Sequence, residues 1–551
     1  MSSKDVSQAA SANSPDKEYL PPTHLTKHLL DFGFQKRRSV ERKGDLEIEF
    51  LDLTPLKLNV GHFTPFIVAR SLSGHKTISA DLLDPVLAEI QSFAKQQDTY
   101  FYVLVLGGKL AYDKKKRASN ISDRKIAVVD LNGLREIYAA TDHEGTHKAL
   151  ARALVAFLGR NKLSPYQPRQ LATGGRFFGR KETLRTALSS DNGHNVSFAG
   201  NRRIGKTSLL QEIKRQIVRD DASVRIAEVY GNTCHDTFSL LYKILFDLKP
   251  ETAAKPLMDP NILVERFPSL VHDVPKTENR NVAVFIDELD HILEFDERQN
   301  YEAMEILRST FQHDRCRVFC AGFRRTMDAT LRDNHPLRNF THPHRLTGLK
   351  LSETVDMVTR PLAHLGIDVP ADMAAAIEGE TAGHPELIQI CCDEIIRYYE
   401  ETNRVPSIKE LLVSVFDSDI FKQSVLGAFL TNFNPYEQLS CYLLFRRAGK
   451  DFDRYEFNVA EIDEELKSIN RKLPFRAVNT LLNNLQVGGA ISPIRGSTRY
   501  RFSVPQLGRY CVDLNLDFCI SKAIEDWSEL GAEPGGLLNE PVSKAAETGS
   551  N

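Results

Sequence analysis

The stretch Asn195 to Val218, NVSFAGNRRIGKTSLLQEIKRQIV, changes pattern twice within its length. Its first six residues, Asn195 to Gly200, are mostly apolar or small and suit a buried strand. Leu209, Leu210, Ile213 and Ile217 then recur at helical spacing, which predicts an amphipathic helix opening near Lys206. Between the two lies Gly200-Asn201-Arg202-Arg203-Ile204-Gly205-Lys206-Thr207, a complete G-x-x-x-x-G-K-[ST]. Glycines let successive backbone N–H groups turn toward one point, and the N-terminal end of the following helix adds partial positive charge there. That combination is a phosphate cradle, with Lys206 expected at the β- and γ-phosphates of ATP and the Thr207 hydroxyl at Mg²⁺. Loop residues Asn201, Arg202, Arg203 and Ile204 and the helix residue Ser208 complete the candidate nucleotide contacts. A plain strand-to-helix turn is the alternative, and the quality of the flanking strand and helix weighs against it.

Some eighty residues on, NVAVFIDELDHIL runs apolar from Val282 to Ile286 and ends in Asp287-Glu288. A buried parallel strand delivers two carboxylates to one sheet edge in this way. Asp287 is expected to hold Mg²⁺ through water, and Glu288 to orient and deprotonate the attacking water. Asp290 reads as a helix-capping residue. A further strand, CRVFCAG, ends at Gly322, and the following Arg324 is either a γ-phosphate sensor or a surface arginine. Ahead of the first strand, FFGRKETL places Gly179 and Arg180 where a chain segment can pack on the adenine.

Together with TAGHPELIQICCDEI (Thr381 to Ile395), these motifs resemble the STAND class of P-loop NTPases, signal-transduction ATPases of the AAA+ group that include bacterial relatives of NLR immune receptors. The resemblance covers about 173 to 510. It implies a multidomain α/β chain: a parallel-sheet ATPase core over 173–345, a helical lid over 346–430 and a winged helix over 431–525. It also implies that Pro385 touches the adenine and that His384 sits near the phosphates. In such proteins ADP holds a closed monomer, ATP permits an open, self-associating form, and slow hydrolysis acts as a timer. The roles implied are bacterial signalling or antiviral defence, with self-association or a protein partner. One departure stands out: the winged region has no Met-His-Asp motif, so no histidine that reads ADP is identifiable there.

Length and composition fit this layout. The 551 residues suit roughly three domains, and 42% hydrophobic with 26% charged residues is ordinary globular composition. A formal net charge of -2 gives no whole-chain pull toward nucleic acid or membrane. The eight cysteines lie scattered in apolar runs, without paired C-x-x-C spacing, and read as reduced core residues. No apolar window is long enough for a bilayer, and no signal core is visible, so the expected location is cytoplasmic. Segments 1–22 and 526–551 are expected to be disordered tails, and 161–172 a linker.

Over 23–160 the pattern is α/β, in the order helix, strand, strand, helix, strand, helix, strand. That order resembles the restriction-endonuclease-like fold. The third strand, Val68-Ala69-Arg70-Ser71, has neither the acid nor the lysine of active members, so the expected nuclease is dead; Glu47, Glu49 and Asp52 read as a solvated strand face. DNA is a possible local partner. Lys36-Arg37-Arg38 and Lys114-Lys115-Lys116-Arg117 are either solvated loops or backbone contacts. In the winged region, Arg476, Asn479 and Asn483 with Arg495, Arg499 and Arg501 are compatible with DNA, while the acidic helix AEIDEELKSIN opposes it.

Overall fold

A computed structural model describes residues 25–36, 41–43, 46–48, 51–58, 77–78, 102–106 and 109–110, then 126–529 apart from 190–193, 254–258, 278–279, 313–314, 432, 452–453, 470, 472–474 and 514. Five strands form its central sheet: β1 (Asn195–Gly200), β2 (Arg225–Tyr230), β3 (Val282–Asp287), β4 (Cys316–Gly322) and β5 (Thr341–Leu346). Their spatial order is β2-β3-β4-β1-β5, and every pairing is parallel. A parallel sheet needs cover on both faces, and the period-two alternation of side chains provides it. Val282, Val284 and Ile286 point into one core with Ile244, Phe267 and Phe311. Ala283 and Phe285 point into the other with Phe198, Leu209 and Ile213. The rings of Phe285 and Phe319 stack across β3 and β4 with centroids 5.1 Å apart.

Helix α1 (Lys206–Asp220) covers the second face and α2 (Thr237–Leu248) the first. Glycine is needed where β1 ends, because a Cβ on Gly200 would stand 2.7 Å from the Leu346 carbonyl oxygen on β5. The edge of the sheet can therefore close tightly around the loop that follows.

After β5 come five helices: α3 (Leu351–His364), α4 (Ala371–Thr381), α5 (Pro385–Thr402), α6 (Ile408–Phe416) and α7 (Asp419–Phe429). Then follow α8 (Pro435–Ala448), α9 (Val459–Ser468) and α10 (Phe475–Val487). A three-stranded antiparallel sheet has Tyr500–Phe502 between Glu456–Phe457 and Ile491–Pro493. Helices Pro505–Asp513 and Leu516–Glu529 end the described chain. All eight cysteines are free, and seven of them are buried.

On the N-terminal side, Tyr102–Val105 pairs in parallel with Ile126–Val129, and helices Leu131–Ala139 and His143–Leu158 follow. One apolar core runs from Leu25 through Leu154 and Tyr166 to Val358, Phe433 and Trp527. The Tyr166 hydroxyl donates to the Met357 carbonyl at 2.8 Å, which fastens the segment before the sheet onto α3. The third strand with Val68–Ser71, the segment Lys114–Arg117 and the pair Arg37-Arg38 expected from the sequence lie outside the described residues.

Gly231 begins the turn after β2, and a Cβ there would stand 2.2 Å from the Glu288 carbonyl oxygen. Gly379 lies inside α4 with nothing within 4 Å of its Cβ position. The same chemical change should thus have opposite effects. Gly231→Ala is expected to lower unfolding free energy by about 1–3 kcal/mol, and Gly379→Ala to leave it unchanged or raise it by up to about 1 kcal/mol. Urea denaturation of both variants checks this, and equal effects would contradict the packing described.

Candidate functional site

The loop from β1 to α1 turns on two left-handed residues, Arg203 at φ 59° and Gly205 at φ 97°. α1 opens at Lys206 with no side chain capping it, so its first N–H groups face the loop's concavity. The Lys206 ammonium folds back to donate to the carbonyls of Gly200 and Asn201, at 3.0 and 2.9 Å. Burial lowers its pKa, opposed by Glu288, Asp290 and Asp287 in that order. The Thr207 hydroxyl donates to Asp287 Oδ2 at 2.6 Å, reaching across the end of β4, which lies between β1 and β3. Glu288 is exposed at φ 52°, and its N–H donates to Asp287 Oδ1 at 2.9 Å. This turn directs the Asp287 carboxylate to Thr207 and the Glu288 carboxylate to the adjacent cavity.

That cavity has a volume of about 390 Å³, within the range of small-molecule sites. Polar and charged residues line it, among them Lys206, Thr207, Ser208, Glu288, Arg180, Arg202 and Arg203. Phe177, Phe178, Leu349, Met357 and Pro385 add apolar surface. The donor set fits a nucleoside triphosphate with a hard divalent cation: ammonium, guanidinium and N–H groups for phosphate, hydroxyl and carboxylate oxygens for Mg²⁺.

Three polar ties join this loop to the helices beyond the sheet. Arg203 pairs with Glu386 at 2.7 Å, where Glu386 is 3% exposed and burial raises its pKa. His384 Nε2 lies 3.2 Å from the Arg202 carbonyl, and the ring meets Phe429 edge-on at 5.3 Å. Arg180 donates to the carbonyls of Ile204 and Thr347, while its own N–H donates to Glu353 at 2.6 Å. Pro385 occupies the first position of α5, where its missing N–H costs nothing. Gly383 approaches Leu349 so closely that a Cβ would stand 2.2 Å from that carbonyl oxygen. Asn201 is buried, its Oδ1 accepting from the Arg202 N–H at 2.7 Å. Ser208 accepts from the Ala172 N–H at 3.1 Å.

Arg324 is a correction to the sensor reading. Its guanidinium lies 2.5 Å from the fully buried Glu437 on α8 and is flanked by the rings of Phe323 and Phe433, each 5.0 Å away. It does not line that cavity. Burial raises the Glu437 pKa, and the Arg324 guanidinium is the foremost influence favouring the ionised carboxylate. Asp290 does cap a helix, though not its own: it accepts from the N–H groups of Phe323, Arg325 and Thr326 at the start of Arg324–Leu331. Gly322 permits this, since a Cβ there would collide with Thr326 and Asp290.

Glu386, Glu353 and Glu437 are absent from the sequence-derived candidates. Only Glu437 had a local signal, the N-P-Y-E capping box that the structure confirms between Asn434 and Glu437. That pattern marks a helix start and says nothing of a distant arginine.

No protein-family model matches the chain, and no curated protein matches it. Among solved structures, it is similar to the Walker-type ATPase PABY2304 of Pyrococcus abyssi, with 14% identity over 63% of this chain and 99% of the other and a TM-score of 0.45. It is also similar to the Aeropyrum pernix ORC2 protein in ADPNP–ADP complexes, at 14% identity, 65% and 97% coverage, and a TM-score of 0.42. A third is the Thermotoga maritima RuvB Holliday junction branch migration motor, at 15% identity, 62% and 97% coverage, and a TM-score of 0.34. The likeness is one of fold.

Two predictions follow from these burials. Arg324→Ala leaves Glu437 buried beside no cation and is expected to cost about 3 kcal/mol; a loss under about 1 kcal/mol in denaturant unfolding would mean that water reaches Glu437. Separately, burial holds His384 and His335 down to about 4 from 6.5. Both rings are neutral in the folded chain and take protons once unfolded, so stability present above pH 6.5 is lost as pH falls toward 4. Melting temperature should drop across that window, and less steeply in His335→Asn; identical slopes would exclude a contribution from His335.

Proposed function

We propose that this chain binds ATP with Mg²⁺ and hydrolyses it slowly, using nucleotide state to set the relation between the sheet and the helices beyond it. The observation that carries the reading is the Thr207 hydroxyl 2.6 Å from the Asp287 carboxylate, with Thr207 lining the same cavity as Lys206 and Glu288. In this reading Thr207 and Asp287 hold the cation, which would draw charge from the phosphate oxygens when bound. Lys206 and the N–H groups opening α1 bind the phosphates, and Glu288 orients the attacking water and takes its proton. The segment Arg169–Arg180 and Pro385 enclose the base. Arg324, committed to Glu437, contributes no charge to the transferring group in this conformation, which supports slow turnover.

The switch in this reading lies in the ties between loop and lid. Arg203 serves Glu386 in the present arrangement and flanks the phosphate cradle. A phosphate that recruits Arg203 weakens the tie to α5, and each tenfold preference for one arrangement shifts the balance by about 1.4 kcal/mol. The division into an N-terminal unit (23–160), ATPase core (173–345), lid (346–430) and winged helix (431–525) belongs to the same reading. So does a STAND-like role, with self-association or a protein partner, in bacterial signalling or defence.

A second reading is a DNA-binding AAA+ ATPase. It is favoured by Asn479, Asn483, Arg495 and Arg501, which stand exposed around α10 and the hairpin after it. Against it, Arg499 is taken by Glu456 and Glu461.

Lys206→Ala is expected to weaken nucleotide binding at least about tenfold in a direct titration. Glu288→Gln should retain ATP and lose turnover by about a hundredfold or more. Unchanged affinity in the first or persistent hydrolysis in the second would overturn the assigned roles. Turnover measured with and without duplex DNA separates the two readings: indifference favours the switch, and strong, salt-sensitive stimulation favours the DNA-binding ATPase.

A further inference from the structure

Apart from the residues that line the cavity beside Lys206, two histidines turn ring nitrogens toward one point. His147 lies in the second turn of helix His143–Leu158, and His364 is the last residue of α3. Both are buried, at 5% and 0% exposure. His147 Nε2 lies 3.1 Å from the Phe32 carbonyl, and His364 Nδ1 contacts the Leu56 carbonyl. A backbone carbonyl only accepts, so each contacting nitrogen carries the hydrogen. In the neutral ring the other nitrogen then offers a lone pair. Of those two nitrogens, His147 Nδ1 is buried without a hydrogen-bond partner, and the buried His364 Nε2 faces a carboxylate. A carboxylate joins them: Glu144 Oε1 is 3.3 Å from His364 Nε2, and ligand atoms of Glu144, His147 and His364 all lie within 4.8 Å of one another.

We propose that Glu144, His147 and His364 form a divalent-metal site suited to Zn²⁺, clasping helix His143–Leu158 to α3. Two imidazoles and one carboxylate are a zinc donor set, with a fourth position left to water. Tetrahedral bonds of about 2.0–2.1 Å place neighbouring ligand atoms about 3.3 Å apart, which is the Glu144–His364 separation; His147 needs only to close in. The carbonyls of Phe32 and Leu56 supply the outer contacts that orient metal-binding imidazoles. Two cations stand by Glu144: Arg360 Nε is 3.8 Å from Oε2, and Lys148 Nζ is 3.9 Å from Oε1. They balance the carboxylate without metal and limit affinity with it.

His143-Glu144-Gly145-Thr146-His147 also spells H-E-x-x-H, a pattern in which both histidines bind zinc and the glutamate acts as base. The geometry differs from that arrangement. His143 is exposed, its ring packs edge-on against Phe32 at 5.8 Å, and its Nδ1 lies beside Gly33. Ligation therefore falls to Glu144, His147 and His364, and His143 is spared.

The test uses the full-length, tag-free chain, stripped with chelator and titrated with Zn²⁺ by calorimetry in the absence of nucleotide. One equivalent should bind, and His147→Ala and His364→Ala should each weaken it at least about tenfold, with folding checked by circular dichroism. The half-exposed Glu144 gives a variant that keeps the core intact: Glu144→Gln should also weaken binding and remove the four-coordinate visible spectrum of the Co²⁺ form. His143→Ala should change neither. Absence of bound metal, binding undiminished in Glu144→Gln, or loss in His143→Ala would each overturn the assignment.

Discussion

A hydroxyl and a carboxylate from opposite sides of one strand, Thr207 and Asp287, meet at 2.6 Å, and much of the core is arranged around that distance. With β4 interposed between β1 and β3, only side chains projecting from the strand ends can meet. The six-residue parallel register of β2 on β3 brings Tyr230 beside Asp287 at the same edge as the loop after Gly200. Gly231 and Gly322 then keep side chains out of the space where the chain turns. Asp290 ties the segment that leaves β4 to the helix after β3, which joins the carboxylates to the neighbouring strand end. Positive φ at Glu288 and Arg203 is the strain that such convergence requires.

Attachments around that body divide by chemistry. Helix α3, the N-terminal helices and the C-terminal helices share a continuous apolar core, which is non-directional and roughly proportional to area. The ties from the loop after β1 to the same helices are polar: Arg203 to Glu386, the Arg202 carbonyl to His384, and Ile204 through Arg180 to Glu353. Polar ties between partly buried groups depend steeply on what else competes for the charge.

Legibility in the sequence followed the range of the interactions. Strand Asn195–Gly200 and the helix from Lys206 appear where periodicity and glycine spacing set them, because both are local. The strand ending at Asp287 was legible for the same reason. The helix His143–Leu158 was not among the expected elements: its first turn is polar, and its apolar stripe, Leu150, Leu154 and Leu158, begins only afterwards. The third strand of the C-terminal sheet, Glu456–Phe457, is two residues long, too short for any alternation to show. Arg324 misled because its position after β4 is a local fact, whereas its partner is decided by tertiary packing on α8.

That partner bears on how the outer helices read the core. Glu437 also accepts from Asn484 on α10 at 2.9 Å, so one buried carboxylate joins α8, α10 and the helix that follows β4. Removing two charges from water is costly, and such a pair is worth keeping chiefly where position matters more than stability. Arg324 stands at the first position of the helix whose N–H groups Asp290 holds, and Asp290 in turn helps to hold the Lys206 charge. Lys206, Asp290, the helix start it caps and Arg324 are thus neighbours in one chain of polar contacts. The buried pair, not the apolar core around it, is the polar contact that ties α8 and α10 to the helix following β4.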